Sequence, residues 1–328
     1  MYKQFHPPVF VVGSSRSGTT LLYSILLSSG EFAIYQAETL LLEVCQPKYG
    51  NLKNKNNYAR FISDWIRSKQ FYRSALDPIE FVEGAINHHD NYIEFMKYFM
   101  ESVTSKQGKK RWAENTPSHI FYMKELMEYF PEAKFIHVIR DGRDVAVSKR
   151  KLGWTGTKNN DPLKQLVYAA KGWERSVKAG RCYGKELGNN YMEIRYEDIV
   201  TNLDATLADI SRFADITIDR SKIENSSIGS LGKANTAFSD KLPGISSRAV
   251  GRWKSELGDE EINILHLAIG DSLTQLGYDV SDDKKLRVSW KNGLHLKMCP
   301  TLLKMRAFLK YRTFLGRFTS DAIEIGLQ

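Results

Sequence analysis

The chain has 328 residues, 42% of them hydrophobic, enough for a sizeable core, and its 47 Lys and Arg against 38 Asp and Glu make it basic, with a pI of about 9.2. No apolar run reaches the ~18 residues of a membrane helix and the opening residues carry no signal-peptide pattern, so neither a membrane span nor a secretion signal is expected. Three cysteines, Cys45, Cys182 and Cys299, fit no metal or redox spacing and cannot all pair, so one soluble domain in a reducing, cytoplasmic compartment is expected, with no metal site; a segment of a lumenal enzyme is the alternative.

Val9 to Val12 form an apolar run too short for a helix, and Gly13 ends it, as in a strand buried in a parallel sheet. From Thr19 the period changes: Leu21, Leu22, Ile25 and Leu26 recur at helical spacing, and Gly30 sits where a left-handed cap belongs. Between them lies Gly13-Ser14-Ser15-Arg16-Ser17-Gly18-Thr19-Thr20. Its glycines let backbone N–H groups turn inward, and the helix N-terminus that follows carries partial positive charge, which together make a phosphate cradle. The glycine spacing is that of a nucleotide P-loop, but Thr19 occupies the lysine position. The cation facing a phosphate must come from elsewhere, and Arg16 is the one the loop contains. A Gly/Ser-rich turn with no ligand is the alternative.

The Arg-Ser-Gly-Thr-Thr-x-Leu string resembles the 5′-phosphosulfate loop of sulfotransferases of the bacterial and Golgi types, which use 3′-phosphoadenosine 5′-phosphosulfate (PAPS) and release adenosine 3′,5′-bisphosphate. The resemblance implies a three-layer α/β, P-loop-like domain with a central parallel sheet and helical insertions. It also implies that Ser14, Ser15, Arg16, Ser17, Gly18, Thr19 and Thr20 hold the 5′ end of the donor, with Arg16 stabilising charge in the transition state. Tyrosylprotein-type sulfotransferases carry a Glu-Thr pair after the loop helix, and its glutamate is their base. Glu38-Thr39 resembles that pair at an interval one residue longer; a solvated, helix-capping glutamate is the other reading.

Lys48 to Asn57 reads as a polar loop, and the pattern is then helical to about residue 105, with Asp77-Pro-Ile-Glu80 as a helix start. An all-helical insertion at about 48–108, between the first two strands, fits an acceptor-side subdomain. His88 and His89 read as surface or capping residues. Lys110 to Glu114 is the next strand. Trp112-Ala-Glu-Asn-Thr-Pro-Ser-His119 resembles the Glu/Asp-Lys-Thr-Pro element of many sulfotransferases, which makes Glu114 a second candidate base and puts Asn115 where a lysine is usual. His119 is a third candidate, its other role being to cap a helix starting near Ser118.

Phe135 to Ile139 is a buried strand, Asp141-Gly142 turns, and a helix begins near Arg143. Arg140 then stands at the carboxyl end of the strand, where open α/β sheets bind ligands. Sulfotransferases use such an Arg and a Ser eight residues on, here Arg140 and Ser148, for the donor's 3′-phosphate. Asp161-Pro162 starts another helix, and Tyr191 to Tyr196 gives a fourth strand whose Tyr196 lines the adenine site or simply belongs to the core. Residues 218–245 read as a long loop and lid. Ser246-Ser247-Arg248-Ala-Val-Gly251-Arg-Trp253 resembles the Arg-Lys-Gly-x-x-Gly-Asp-Trp string of cytosolic sulfotransferases, which places Ser247, Arg248 and Gly251 on the 3′-phosphate. Asp259 to Leu276 is an amphipathic core helix.

From Lys284 to Phe318 there are ten Lys or Arg and no Asp or Glu, so residues 284–328 read as a basic amphipathic tail beyond a domain at 1–283. The tail packs on its own domain or a second subunit, or lies on an anionic membrane surface. The whole points to in-line transfer of a sulfonate from PAPS to a hydroxyl or amine of a saccharide, lipid, small natural product or peptide, without nucleic acid as partner. The rival classes are a P-loop-type kinase, which needs a lysine at position 19 and a magnesium site, and a basic polyanion-binding module.

Overall fold

The computed structural model describes residues 5–86, 90–155, 157, 160–225, 247–280, 290–313 and 315–319. Val9–Gly13 (β1) runs straight into the loop and then Thr19–Ser28 (α1). Phe32–Ala33 (β2) follows, then a π-helical turn at Leu41–Cys45, and the helices Gln46–Tyr49 (α2), Lys55–Ile66 (α3), Lys69–Tyr72 (α4), Pro78–Ala85 (α5) and Tyr92–Lys106 (α6). Arg111–Glu114 (β3) leads through a 3₁₀ turn at Pro117–Phe121 to Met123–Tyr129 (α7), Lys134–Ile139 (β4) and Gly142–Lys151 (α8). The remainder is Pro162–Leu187 (α9), Tyr191–Arg195 (β5), Tyr196–Thr201 (α10), Leu203–Ala214 (α11), Arg220–Asn225 (α12), Trp253–Glu256 (α13), Asp259–Gln275 (α14), Trp290–Arg312 (α15) and Gly316–Thr319 (α16).

The strands form one five-stranded parallel sheet in the order β2-β3-β1-β4-β5. β1 is central, and its alternating side chains serve both faces. Phe10 and Val12 enter a core shared with Phe61, Trp65, Phe95 and Phe99 of the helical layer, while Val9 and Val11 enter one shared with Leu22, Ile25 and Leu26 of α1. Phe61 meets Phe95 edge-on at 4.7 Å between ring centroids, so α3 and α6 are locked by aromatic packing. The parallel α/β sheet, with helices covering both faces, is the architecture expected from the alternation of short apolar runs and helical stretches.

Several local expectations need correction. A strand not expected from the sequence precedes the helical stretch: Phe32 and Ala33 pair with Arg111 and Trp112 as a two-residue edge strand, which makes Tyr191–Arg195 the fifth strand rather than the fourth. The polar stretch at 48–57 is partly helical: α2 reaches Tyr49, and Asn54 caps α3 by accepting from the N–H groups of Asn56 and Asn57. Arg220–Asn225 is helical rather than loop. The rest of the expected lid, 226–245, lies outside the described residues, as do Ser246, His88 and His89. Asp77 does cap α5, accepting from Ile79 and Glu80, with Pro78 in the first turn.

In the tail, α15 lays Cys299 against Val167 of α9 and Ile264 of α14, with Leu303 packed beside them. Met298, Met305 and Phe308 of the same helix are exposed. No helix among the described residues is long and apolar enough to cross a membrane.

Candidate active site

The loop between β1 and α1 sits at the carboxyl end of the central strand. Gly13 has no room for a side chain, since a Cβ there would lie 2.7 Å from the Val138 carbonyl of β4. Gly18, at φ +100°, caps α1 and packs directly under the ring of Tyr196. No side chain caps α1, so the N–H groups of its first turn are left for an anion. Ser17 Oγ is buried with no partner. Arg16 is held at φ 74°, a left-handed conformation that costs a non-glycine residue about 1–2 kcal/mol. That conformation turns the side chain across the loop, where its Nε donates to Ser148 Oγ at 3.1 Å.

Arg140 closes the same edge from β4. Its Nη1 donates to the Arg16 carbonyl at 3.3 Å, its Nη2 to the Ala249 carbonyl, and its guanidinium lies 4.7 Å over the Tyr196 ring. The Nε of Arg140 is buried and unpartnered. The strand end is held firmly: Trp173 Nε1 donates to the Arg140 carbonyl at 2.9 Å, and Glu197 accepts the Asp141 N–H at 2.9 Å and the Tyr278 hydroxyl at 3.0 Å. Arg143, the second arginine of the Arg-Asp-Gly-Arg string, is instead spent on structure, chelating Asp141 and stacking 3.8 Å over Trp253. Asp144 accepts the N–H groups of Gly251 and Trp253 at 2.8 and 3.0 Å, which brings the Ser247–Trp253 segment to Arg140. Ser247 and Arg248 lie exposed at its start.

Three basic or aromatic groups were not singled out by sequence. Lys149 is buried on α8 and donates to Ser14 Oγ at 2.8 Å; burial pushes its pKa down to about 8. No sequence signal set it apart, because Arg150 and Lys151 likewise follow buried residues of α8 by three and four positions. Arg252 lies close enough to Arg16 to lower the latter's pKa, an effect smaller than those of burial and Arg140. Trp154 stands 5.9 Å from the Arg16 guanidinium, ring face toward it.

The candidate bases are placed very differently. Glu114 is buried at the end of β3, and its Oε1 accepts both the N–H and the hydroxyl of Thr39, at 3.3 and 3.0 Å. Thr116 donates to it through its hydroxyl and, at 2.9 Å, its N–H, and His119 Nδ1 lies 2.8 Å from Oε2. Burial alone would raise the Glu114 pKa, but His119 and these hydrogen bonds outweigh it and hold the carboxyl below its usual value. His119 is therefore not a capping residue: it is buried between carboxylates. Burial would lower its pKa, yet Glu114, then Glu43 and Glu38, raise it. Glu38 is half-buried on the segment that Thr39 anchors. Asn115, next to Glu114, is buried with both polar atoms of its amide unpartnered. No cluster of three or more His, Cys, Asp or Glu among the described residues is arranged to hold a metal.

A family model described as the Sulfotransferase family matches residues 7–220, the span containing the loop, Arg140, Ser148 and both carboxylates. This chain is a member of the sulfotransferase family. It is similar to a putative protein-tyrosine sulfotransferase of Caenorhabditis briggsae, 22% identical over 292 residues, covering 87% of this chain and 93% of the relative. It is also similar to protein-tyrosine sulfotransferase A of Caenorhabditis elegans, 24% identical over 85% of this chain and 69% of that one. An omega-hydroxy-beta-dihydromenaquinone-9 sulfotransferase, Stf3 of Mycobacterium tuberculosis, is 27% identical over 41% of this chain and 42% of its own length. Among solved structures, the sulfotransferase domain of the curacin biosynthetic pathway superposes with a TM-score of 0.56 at 15% identity, covering 85% of this chain and all of that domain, which establishes the shared fold.

The family membership makes this chain an enzyme that transfers sulfonyl groups. The cytoplasmic expectation does not survive the comparison. The relatives spanning the chain are protein-tyrosine sulfotransferases, Golgi-type enzymes. Unpaired cysteines were a poor guide to compartment, because Cys45 and Cys299 are buried in apolar cores where a lone thiol packs as a small hydrophobe.

Proposed function

We propose that this sulfotransferase takes PAPS as donor and a hydroxyl as acceptor, with the phenol of a peptide tyrosine the first acceptor to test. One observation carries the donor assignment: Arg16 and Ser148, 132 residues apart in sequence, meet at 3.1 Å beside an uncapped helix N-terminus, with Arg140 bonded to the Arg16 carbonyl. The orphaned Ser17 hydroxyl and Arg140 Nε fit a doubly phosphorylated nucleotide, because each is a buried polar group whose isolation costs free energy until an anion meets it. On this reading, Ser14, Ser15, Ser17, Gly18, Thr19 and Thr20 hold the 5′ end, while Arg140, Ser148, Ser247, Arg248 and Gly251 hold the 3′-phosphate. Tyr196, wedged between Gly18 and Arg140, sets the floor between them.

The donor supplies an activated sulfonate. Arg16 places positive charge where the leaving oxygen develops negative charge, and the loop N–H groups fix the geometry, so positioning and electrostatics do most of the work. Glu38 is the base that takes the acceptor proton. Glu114 is ill suited to that task, since Thr39, Thr116 and His119 already occupy its oxygens and stabilise its charge. Its part is to anchor Thr39 and thereby aim Glu38.

The relatives that span most of the chain act, by their names, on protein tyrosine, which favours that acceptor over a lipid hydroxyl. Calorimetry with adenosine 3′,5′-bisphosphate against ATP tests the donor site: selective binding of the bisphosphate is expected, and preference for ATP with magnesium ends the reading. Mass spectrometry of tyrosine peptides and of saccharide, lipid and small hydroxyl acceptors incubated with PAPS then tests the acceptor, with sulfonation of a peptide tyrosine expected.

A further inference from the structure

Neither of the two positions where a phosphate or sulfonate cradle would carry lysine does so in this chain. Thr19 holds the P-loop position, and Asn115, at the end of β3, offers only an amide. A lysine reaches the loop by a different route. The last turn of α8 carries Lys149, Arg150 and Lys151, and the partners of the three differ. Arg150 pairs with Glu261, and Lys151 with Glu256 at 2.8 Å. Lys149 has no carboxylate partner among the described residues, only the Ser14 hydroxyl at 2.8 Å. It is also the buried one, at 8% exposure.

A buried ammonium without a counter-ion is costly, and a lysine with a merely structural role would pair or extend its head to water. The helix C-terminus favours a cation, but it does so equally at Arg150 and Lys151 and does not explain burial. The sheet order puts β1 between β3 and β4, so Asn115 and α8 flank the loop from opposite sides.

We propose that Lys149 is a fixed cation of the donor site, a positioning residue that acts through Ser14 on the loop and supplies from the α8 side the charge that Asn115 lacks on the β3 side. The proposal rests on the reading of Gly13 to Thr20 as the cradle for the donor's 5′ end. It predicts a protonic signature. With its pKa near 8, Lys149 is partly neutral in the ligand-free protein above that pH, and an arriving anion draws a proton onto it from the buffer. The surrounding groups do not mimic this. Asp144 is committed to Arg140 and to the Gly251 and Trp253 N–H groups, His137 beneath Gly13 is neutral with a pKa near 4, and burial raises the Tyr196 phenol.

The test is calorimetric titration with adenosine 3′,5′-bisphosphate at about pH 7 and 8.5, in buffers of different ionisation enthalpy, on wild type and Lys149→Met. Wild type is expected to take up protons on binding at the higher pH and far fewer at the lower. Lys149→Met should lose that uptake and bind roughly 10- to 100-fold more weakly, the weight of one hydrogen bond to a charged group. It should melt no lower than wild type in the ligand-free state. Equal affinity and unchanged proton uptake in Lys149→Met overturn the proposal and leave the donor reading intact. Failure of wild type to bind the bisphosphate overturns both. Should the variant not fold, absence of extra proton uptake by wild type at the higher pH overturns the proposal by itself.

Discussion

Thr39 donates both its backbone N–H and its hydroxyl to one oxygen of Glu114, at 3.3 and 3.0 Å, so the residue beside the half-buried Glu38 is clamped to a buried carboxylate on the neighbouring strand. The two glutamates thus separate into a buried anchor and a half-buried candidate base. Glu38→Gln is expected to lower kcat by roughly 10²- to 10⁴-fold, the usual weight of a general base, with little change in melting temperature. Glu114→Gln should instead destabilise the fold by about 1–3 kcal/mol, because the groups gathered on its oxygens lose a charged acceptor. Stopped assays and urea titrations on both variants decide the assignment; the reverse pattern makes Glu114 the base.

Arg16 carries the charge inside the loop, and its strained backbone and bond to Ser148 keep it aimed at the donor site. Arg16→Ala is expected to reduce kcat by about 10²-fold or more, since it removes a cation that acts on developing charge. Ser148→Ala should mainly weaken binding of the bisphosphate, by about tenfold, with a smaller effect on kcat. Near-normal turnover by Arg16→Ala would exclude the mechanism.

The buried pair of Glu114 and His119 makes stability depend on pH from both sides. The His119 pKa is raised, so its contribution is complete below about 6.5, the ordinary histidine value, and is lost as pH climbs through the higher folded value. The Glu114 pKa is lowered, so its contribution is complete above about 4.5 and is lost as pH falls through the lower folded value. Stability is therefore expected to peak between the two. His119→Gln, which strands a buried carboxylate, should cost about 3–5 kcal/mol near pH 6 and remove the decline on the alkaline side. Urea midpoints across the pH range test this, and an unchanged alkaline limb in His119→Gln counts against it.

Much of this architecture was legible because it is written in periodicity and punctuation. The change from Val9-Phe-Val-Val to the spacing of Leu21, Leu22, Ile25 and Leu26 marks a strand, a loop and a helix, and Asp77-Pro78 marks a helix start by capping chemistry alone. A two-residue strand such as Phe32–Ala33 has no period to detect, and it exists only because Arg111 and Trp112 offer it an edge. In sequence Glu38 was favoured only slightly over Glu114, because burial and hydrogen-bond saturation are tertiary properties. Lys149 was passed over for a related reason: in a Ser-Lys-Arg-Lys run each basic residue looks like solvated helix end, and only packing shows which of the three is turned inward.

The basic tail has a structural test of its own. Cys299 of α15 is fully buried against Val167 and Ile264, with Leu303 covering it, and burial pushes its thiol up to about 11. A thiol in that state is a poor nucleophile, whereas Cys182 on α9 is exposed. In the folded protein Cys182 is expected to react first with an aromatic disulfide reagent at about pH 8, with Cys45 and Cys299 slow. Leu303→Asp puts a carboxylate into an apolar contact and should detach α15, since an uncompensated charge there costs several kcal/mol. Cys299 in that variant is then expected to label at a rate close to that of Cys182. A truncation after Asp283 should show the same loss of support as a lower melting temperature, because Val167 and Ile264 become exposed to water. If Cys299 stays protected in Leu303→Asp and the truncated protein melts as the full chain does, the packing of α15 on α9 and α14 adds nothing to the fold, and the tail's exposed Met298, Met305 and Phe308 become the surface to pursue.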